Sequence, residues 1–552
     1  MTAAMNDTRH GSLWRLWLLL GVLWMLTLSV RPLFDPDEGR YAEIPREMLV
    51  SGDWVTPRLN GVKYFEKPPL QYWATATLYS VFGKSEWTSR LWSAALGFLC
   101  VPLVYGFARR IGQSREVAAI GALALAINPY FVIVDHINLL DQAFTFFLVA
   151  AVFAFVLAQR GAQHSRSERR WMLLAWGSLA LAVLSKGIVA IALTGATLVV
   201  YMLAMRDRTF LRRMHFLPGL PLFAALAVPW FWLVQARNPE FASFFFIHEH
   251  FARFLTTVHK RAEPWWFFVP VLLLAVSPFL WSVKHAVIGQ WRGSTSGRDF
   301  SPVRLLLVWV AVTFAFFSIS QSKLVPYALP LMPPIAVLLA QSLRNDARAP
   351  RRASWIVGTL LCVFGAGLMA YDWRRNGTLQ TGVALWAGLG LLAGLLAVFA
   401  ERIVSRGGIA DGKPSLAHWS LLAAVSILGY QMHLMAYDAL PPTRSGKGLA
   451  AAVAPAIGPH TELLSVAQYR HTLSFYLGAQ LDVFGYAGEL EFGMRQDNLP
   501  VTNGTEEFSR HWRQADDAIA FIEPHVYDEL AAAGMPGRVL ANDLQSVAVA
   551  RR

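Results

Sequence analysis

The chain has 552 residues, 55% of them hydrophobic and only 15% charged, with 21 Trp and 35 Phe, and its mean hydropathy is +0.39. This excludes an ordinary soluble protein, which needs more charge to cover its surface, and points to the membrane class. The net charge of +13 is no sign of a nucleic-acid partner, because many of the charges fall in short connections between apolar runs, as membrane topology requires.

In chain order, Arg9 and Arg15 precede an apolar core that resembles a signal peptide. Arg31-Pro32-Leu33 follows Val30 in place of a small-x-small cleavage site, so the stretch reads as an uncleaved first span. Candidate spans are 13–30, 90–108, 117–131, 141–159, 170–185, 187–205, 215–235, 265–284, 303–319, 326–343, 354–371, 380–400 and 416–437, thirteen in all. The run 170–205 is too long for one span, and Lys186-Gly187 offers a tight turn at which to divide it. The two cysteines, Cys100 and Cys362, sit inside apolar runs and read as packing residues.

The arginine-rich connections are Arg109/Arg110/Arg115, Arg160–Arg170, Arg206–Arg213, Arg292/Arg298, Arg344–Arg352 and Arg402–Lys413. They mark the cytoplasmic side, with the N-terminus inside and the C-terminus outside. The acidic stretch Asp35–Ile44, the connection Asp135–Asp141, Lys186, the 236–264 loop and Lys323 then all fall on the outer face.

Residues 31–89 form an outer loop too long for a plain connector. Tyr41, Ile44 and Met48 at helical spacing predict an amphipathic helix on the membrane surface, ended by Ser51-Gly52, with Pro45 tolerable only near its first turn. A second, partly apolar stretch, Leu70–Phe82, returns the chain to the bilayer. From about 441 the apolar runs shorten to strand length (Glu462–Val466, Ala518–Ile522, Val547–Ala550) around helical patterns such as Pro524–Ala533. The predicted architecture is mainly α: a transmembrane domain, 1–440, with large outer loops at 31–89 and 236–264, and a small soluble α/β domain, 441–552.

Asp35-Pro36-Asp37-Glu38-Gly39-Arg40 crowds three carboxylates and a guanidinium directly after a span. A carboxylate here can simply cap the helix that follows; the cluster as a whole reads as functional. Asp-Pro-Asp-Glu-Gly-Arg-Tyr-Ala-Glu-Ile, Arg46-Glu47-Met48-Leu49, Ser51-Gly52-Asp53-Trp54 and Tyr64-Phe65-Glu66-Lys67-Pro68 resemble the first periplasmic loop of the bacterial lipid A 4-amino-4-deoxy-L-arabinose transferases, relatives of the protein O-mannosyltransferases in the C-type glycosyltransferase superfamily. The resemblance continues through Leu140-Asp141, Ser185-Lys186-Gly187, Glu249-His250-Phe251-Ala252-Arg253-Phe254 and Ser322-Lys323-Leu324 with Tyr327. Pro36, Asp37, Glu38 and Arg40 fit the family pattern, Asp35 and Gly39 vary within it, and the C-terminal domain matches much less clearly.

The resemblance implies a multi-pass bacterial inner-membrane pentosyltransferase. It would move aminoarabinose from undecaprenyl phosphate to a lipid A phosphate of lipopolysaccharide at the periplasmic face. Loss of surface negative charge would weaken binding of cationic peptides such as polymyxin. Partners would be the lipid-linked donor, lipid A and the membrane, with no nucleic acid, and the chain would act as a monomer. Asp37 and Asp141 are the catalytic candidates, Asp37 as general base or as an electrostatic stabiliser of the developing sugar cation, Asp141 alternatively a helix N-terminal carboxylate. Lys67 and Arg253 lead for the donor phosphate, with Arg40, Lys186, Lys323, Tyr64 and Tyr327 as further contacts. No cofactor is required; a zinc ion, if bound, would take Glu66 and His250 among its ligands, although His248, Glu249, His250 and His259 match no compact motif. Two alternatives stand beside this reading: a protein or glycan hydroxyl as acceptor, or a transporter of lipid-linked sugar, which would place charges in mid-span and usually repeat its halves.

Overall fold

The computed structural model describes residues 2–252, 263–289, 291, 300–405, 416–440, 444–501 and 504–551, the side chains of 2–12, 250–252, 401, 404 and 405 excepted. It divides into two compact units. The first comprises Met1–Thr27 and Trp92–Tyr437, the second Leu28–Leu91 and Asp438–Arg552. The boundary expected at 440/441 thus groups residues differently: the whole 31–89 loop clusters with the C-terminal segment.

The first unit is helical. Among the described residues nine helices are long and apolar enough to cross a membrane, ten if a bent pair counts as one span, against the thirteen expected. The differences have local causes. The helix Arg166–Lys186 opens with Arg166, Glu168, Arg169 and Arg170, which leaves a short apolar remainder. The helix Val189–Met205, at 17 residues, reaches about 25 Å, less than the roughly 30 Å of a hydrocarbon core. Gly187, at φ 90°, breaks the chain between these two helices where Lys186-Gly187 predicted a turn. The expected span 117–131 is a bent pair, Arg115–Ile127 and Pro129–Asp135, at 62°. Asn128 accepts from the Phe131 N–H at the hinge and Pro129 opens the second helix. Helices Ala349–Asn376 and Thr381–Ser405 pack together, and Gly358 and Gly394 let their backbones meet: a Cβ on Gly358 would lie 2.7 Å from the Gly394 carbonyl oxygen.

The second unit holds a five-stranded sheet built from the C-terminal segment. Its strands are β3 (Glu462–Val466), β4 (Asp482–Phe484), β5 (Ala518–Ile522), β6 (Arg538–Asn542) and β7 (Val547–Ala550), in the order β4-β3-β5-β7-β6. β3 runs parallel to β4 and β5; β7 is antiparallel to β5 and β6. Leu464, Val466, Ala520, Ile522 and Val549 pack with Phe508 and Trp512 to form its core. The three predicted strands lie at the expected residues, because short apolar runs bounded by turn residues are distinctive there.

In the loop segment of this unit, β1 (Arg58–Leu59) and β2 (Val62–Lys63) form a hairpin. Its two-residue turn, Asn60-Gly61, has φ 54° and 78°, the pairing that such turns favour. The helix Asp37–Ser51 ends, as expected, at Gly52, in the left-handed conformation. It does not rest on the membrane with a polar face exposed: Glu38 through Pro45, Glu47 and Met48 are all buried. Pro45 stands well inside the helix, where protein on most sides holds it. Leu33 and Ala42 pack with Tyr79, from the helix Leu70–Phe82, and with Phe475.

One ion pair fixes the entry to this helix. Arg90 donates from Nε to Glu38 Oε1 at 2.7 Å and from Nη2 to Oε2 at 2.6 Å, with side chains 1% and 0% exposed. Its remaining N–H groups reach the carbonyls of Leu28, Arg31 and Pro32. Arg31 pairs with Asp438 at 2.5 Å. Arg90, expected to open a span, lies near the start of the span helix Glu86–Arg110 and also closes the turn 28–32. Replacing Glu38 by Gln strands that buried guanidinium and should cost about 3–5 kcal/mol, read as a lowered denaturation midpoint of the purified full-length protein in detergent.

Candidate functional site

The acidic stretch separates into carboxylates with different surroundings. The Asp35 N–H donates to the Arg444 carbonyl. Its carboxylate accepts from the Thr472 N–H at 2.8 Å and from the Thr472 hydroxyl at 2.6 Å, with Arg470 at 3.5 Å. Asp35 is therefore an anchor to the helix His471–Leu477. Gly39 reinforces the contact: a Cβ there would lie 2.6 Å from the Thr472 nitrogen, so no side chain fits. Glu38 is consumed by Arg90. Asp37, in the first turn of its helix, is 44% exposed and accepts from Arg40 Nη1 at 2.9 Å. It is the carboxylate of this group left facing solvent.

Arg40 is buried between two acids. Besides Asp37, its Nη2 donates to Glu489 Oε1 at 3.0 Å, and its Nε lies 2.6 Å from Glu489 Oε2. The Nε2 of His471 lies 2.5 Å from Glu489 Oε1. Burial alone would raise Glu489, but Arg40 and His471 hold it well below the usual carboxylate range. Burial likewise works against the charge of Arg40, and Tyr64, Glu489 and Asp37 outweigh it.

Tyr64 follows β2, and its buried hydroxyl has no hydrogen-bond partner among the described residues; nor has that of Tyr72, on the helix Leu70–Phe82. Burial pushes both phenols well up, with Arg40 opposing and Glu66 and Glu489 among the groups that reinforce it. Lys67 turns back on its neighbour, donating to the Glu66 carbonyl at 2.9 Å, with the Glu66 carboxylate at 3.7 Å.

In the first unit three predicted residues meet. Asp141 begins the helix Asp141–Arg160 and Lys186 ends the helix Arg166–Lys186. The Lys186 ammonium donates to Asp141 Oδ1 and stands 4.0 Å from the centre of the Tyr327 ring. Lys323 is placed otherwise: it donates to the carbonyls of Glu263 at 2.8 Å and Ser320 at 2.6 Å, closing the end of the helix Pro302–Ile319. Arg253 and His259 lie outside the described residues, as does the side chain of His250.

The zinc expectation gains no support. Among the described residues no group of three or more His, Cys, Asp or Glu is arranged to hold a metal. The Glu66 carboxylate lies near Lys67, and His248 lies 3.3 Å from Glu249.

The family model for dolichyl-phosphate-mannose-protein mannosyltransferases matches residues 12–245, and that for the aminoarabinose transferase C-terminal domain matches 449–551. The undecaprenyl phosphate-alpha-4-amino-4-deoxy-L-arabinose arabinosyl transferase of Aeromonas salmonicida is 32% identical over 394 residues, 69% of this chain and 71% of that protein. The chain belongs to the aminoarabinose transferase family. Within the family, the crystal structure of ArnT from Cupriavidus metallidurans bound to undecaprenyl phosphate is similar at a TM-score of 0.86 and 33% identity, covering 98% of each chain. The archaeal oligosaccharyltransferase AglB from Archaeoglobus fulgidus, at TM-score 0.50 and 14% identity over 95% of this chain and 71% of that one, shares the fold alone. The family model at 449–551 corrects the weak resemblance expected for the C-terminal segment.

Sequence reasoning missed four residues of this family member's acidic network: Arg90, Arg470, His471 and Glu489. Arg90 carried a signal, a lone guanidinium at the head of an apolar run. The other three had none, since the residues of the acidic stretch that they face are more than 430 positions away.

On the same helix, Glu47 accepts from the Gly61 N–H at 2.9 Å, and its other oxygen has no partner among the described residues. Burial, then Glu43, push its carboxyl from 4.5 up to about 7. The folded state therefore keeps a proton that the unfolded chain releases. This contribution is complete below pH 4.5 and is lost as pH rises through about 7. Glu47→Gln should flatten that slope and stabilise the protein at pH 8 by up to about 3 kcal/mol, checked by unfolding at pH 5 and pH 8.

Proposed function

We propose that the chain transfers 4-amino-4-deoxy-L-arabinose from undecaprenyl phosphate to a lipid A phosphate. The reaction takes place at the periplasmic face of the inner membrane, with the N-terminus cytoplasmic and the C-terminal segment periplasmic. The observation that carries this reading is the similarity, over 98% of the chain, to ArnT bound to undecaprenyl phosphate. Masking lipid A charge in this way lowers the surface attraction for polymyxin-like cationic peptides.

In the reaction, the bond between the anomeric carbon and the donor phosphate oxygen breaks, and its electron pair stays with undecaprenyl phosphate. An oxygen of the acceptor phosphate, already ionised, forms the new bond. No proton need be removed from the nucleophile, so a general base is dispensable. Asp37 then acts electrostatically, its exposed carboxylate facing the positive charge that grows on the sugar. Asp141 holds the Lys186 ammonium beside the Tyr327 ring. For the negative charge gathering on the departing phosphate, the sequence motifs offer Lys186, Lys67 and Arg253 as separate candidates. Arg40 serves Asp37 rather than phosphate, because two carboxylates already share its charge. Lys323 keeps a structural part, its ammonium taken by carbonyls.

Purified protein with synthetic donor and lipid A should form the aminoarabinose adduct, seen by mass spectrometry. Asp37→Asn should lower kcat by about 10²-fold or more, and Lys186→Ala should lower it about tenfold or more. Full activity of Asp37→Asn at normal protein levels would remove Asp37 from the chemistry. Transfer to a protein or glycan hydroxyl, with lipid A untouched, would replace the acceptor.

A further inference from the structure

Asp37 is 44% exposed and is gripped by Arg40 through one nitrogen, Nη1, at 2.9 Å. The opposite edge of the same guanidinium faces the Glu489 carboxylate, with Nη2 at 3.0 Å and Nε at 2.6 Å. Behind Glu489 stands His471, its Nε2 at 2.5 Å and its side chain 3% exposed. The chain of contacts runs from solvent inward: Asp37, Arg40, Glu489, His471. A guanidinium is a rigid planar fork, so a carboxylate across one edge fixes where the remaining nitrogen points. With Glu489 in place, Nη1 is directed at Asp37 and the other edge is occupied. Without it, the fork is released to close over Asp37 with two nitrogens or to swing away, and either movement spoils the carboxylate.

We infer that Glu489 is a positioning residue for sugar transfer: it locks Arg40 so that Asp37 is held by a single nitrogen and keeps an oxygen for the substrate. His471 in turn fixes Glu489. This gives the C-terminal segment a share in the chemistry although none of its residues need touch the donor. The inference rests on the reading of Asp37 as the reacting carboxylate.

The test uses full-length protein in detergent with synthetic undecaprenyl-phosphate donor and lipid A. Glu489→Gln should lower kcat about tenfold or more with the donor KM within about twofold, since the effect is on the reacting geometry and not on binding. Glu489→Asp, which restores a carboxylate, should recover part of the loss. Arg40→Lys should resemble Glu489→Gln, and the double variant should be little worse than the poorer single, as members of one unit behave. Multiplying effects, or a kcat for Glu489→Gln equal to wild type, overturn the inference. If Glu489→Gln does not fold, His471→Asn, which keeps both carboxylates, is read in the same way: a lowered kcat at unchanged KM supports the lock and an unchanged kcat overturns it. Asp37→Asn separates the two levels. Loss of transfer there with Glu489→Gln and His471→Asn unaffected removes only the positioning role; retained transfer in Asp37→Asn removes the reading of Asp37 itself.

Discussion

The contact on which the outer-loop unit depends is the buried pair between Glu38 and Arg90. Two charges taken from water give little net stability, since desolvation offsets most of their attraction. Their value lies in geometry. Arg90 has five N–H donors, and the structure uses them on two carboxylate oxygens and three carbonyls of the 28–32 turn. The backbone around residue 30 has no ladder or helix to satisfy those carbonyls, and the guanidinium does so instead. With Glu38 turned inward and Asp35 tied to Thr472, Asp37 is the member of the acidic stretch that remains turned outward.

Charge is closely balanced around that residue. Arg40 lies between Asp37 and Glu489, Arg470 between Asp35 and Asp543, and Arg46 against Glu43. A cluster that reads in sequence as an excess of acid is, in three dimensions, a set of paired charges with one exposed carboxylate. The pairing also redefines the cations. An arginine that already neutralises two acids has little attraction to spare for a phosphate, whereas Lys186, set against a single carboxylate and an aromatic ring, retains more.

The helices were legible where a helical pattern met a clear stop, as at Gly52 and Gly187. So were the three central strands of the C-terminal sheet. The hairpin at Asn60-Gly61 was not predicted, although Asn-Gly between two short extended runs is a turn signal. The surroundings of the helix Asp37–Ser51 were not legible. An amphipathic pattern shows which face is apolar but not whether lipid or protein covers the other, and here the polar residues are buried in ion pairs. Asp141, Lys186 and Tyr327 could be brought together because each sits at the end of an element on the same predicted side. Glu489 could not, because no periodicity or spacing links it to residue 40.

The link between Asp35 and Thr472 spans 437 positions of sequence. At roughly 5–20 residues per second of synthesis, the acidic loop waits on the order of half a minute or more before its partners exist. Throughout that interval Gly39 has no helix to pack against and Arg40 lacks its second carboxylate. A chain that stalls or is cut before Thr472 therefore carries the loop without the partners of Asp35 and Arg40. The surroundings of the acidic stretch are thus completed by residues made long after it, Thr472 and Glu489.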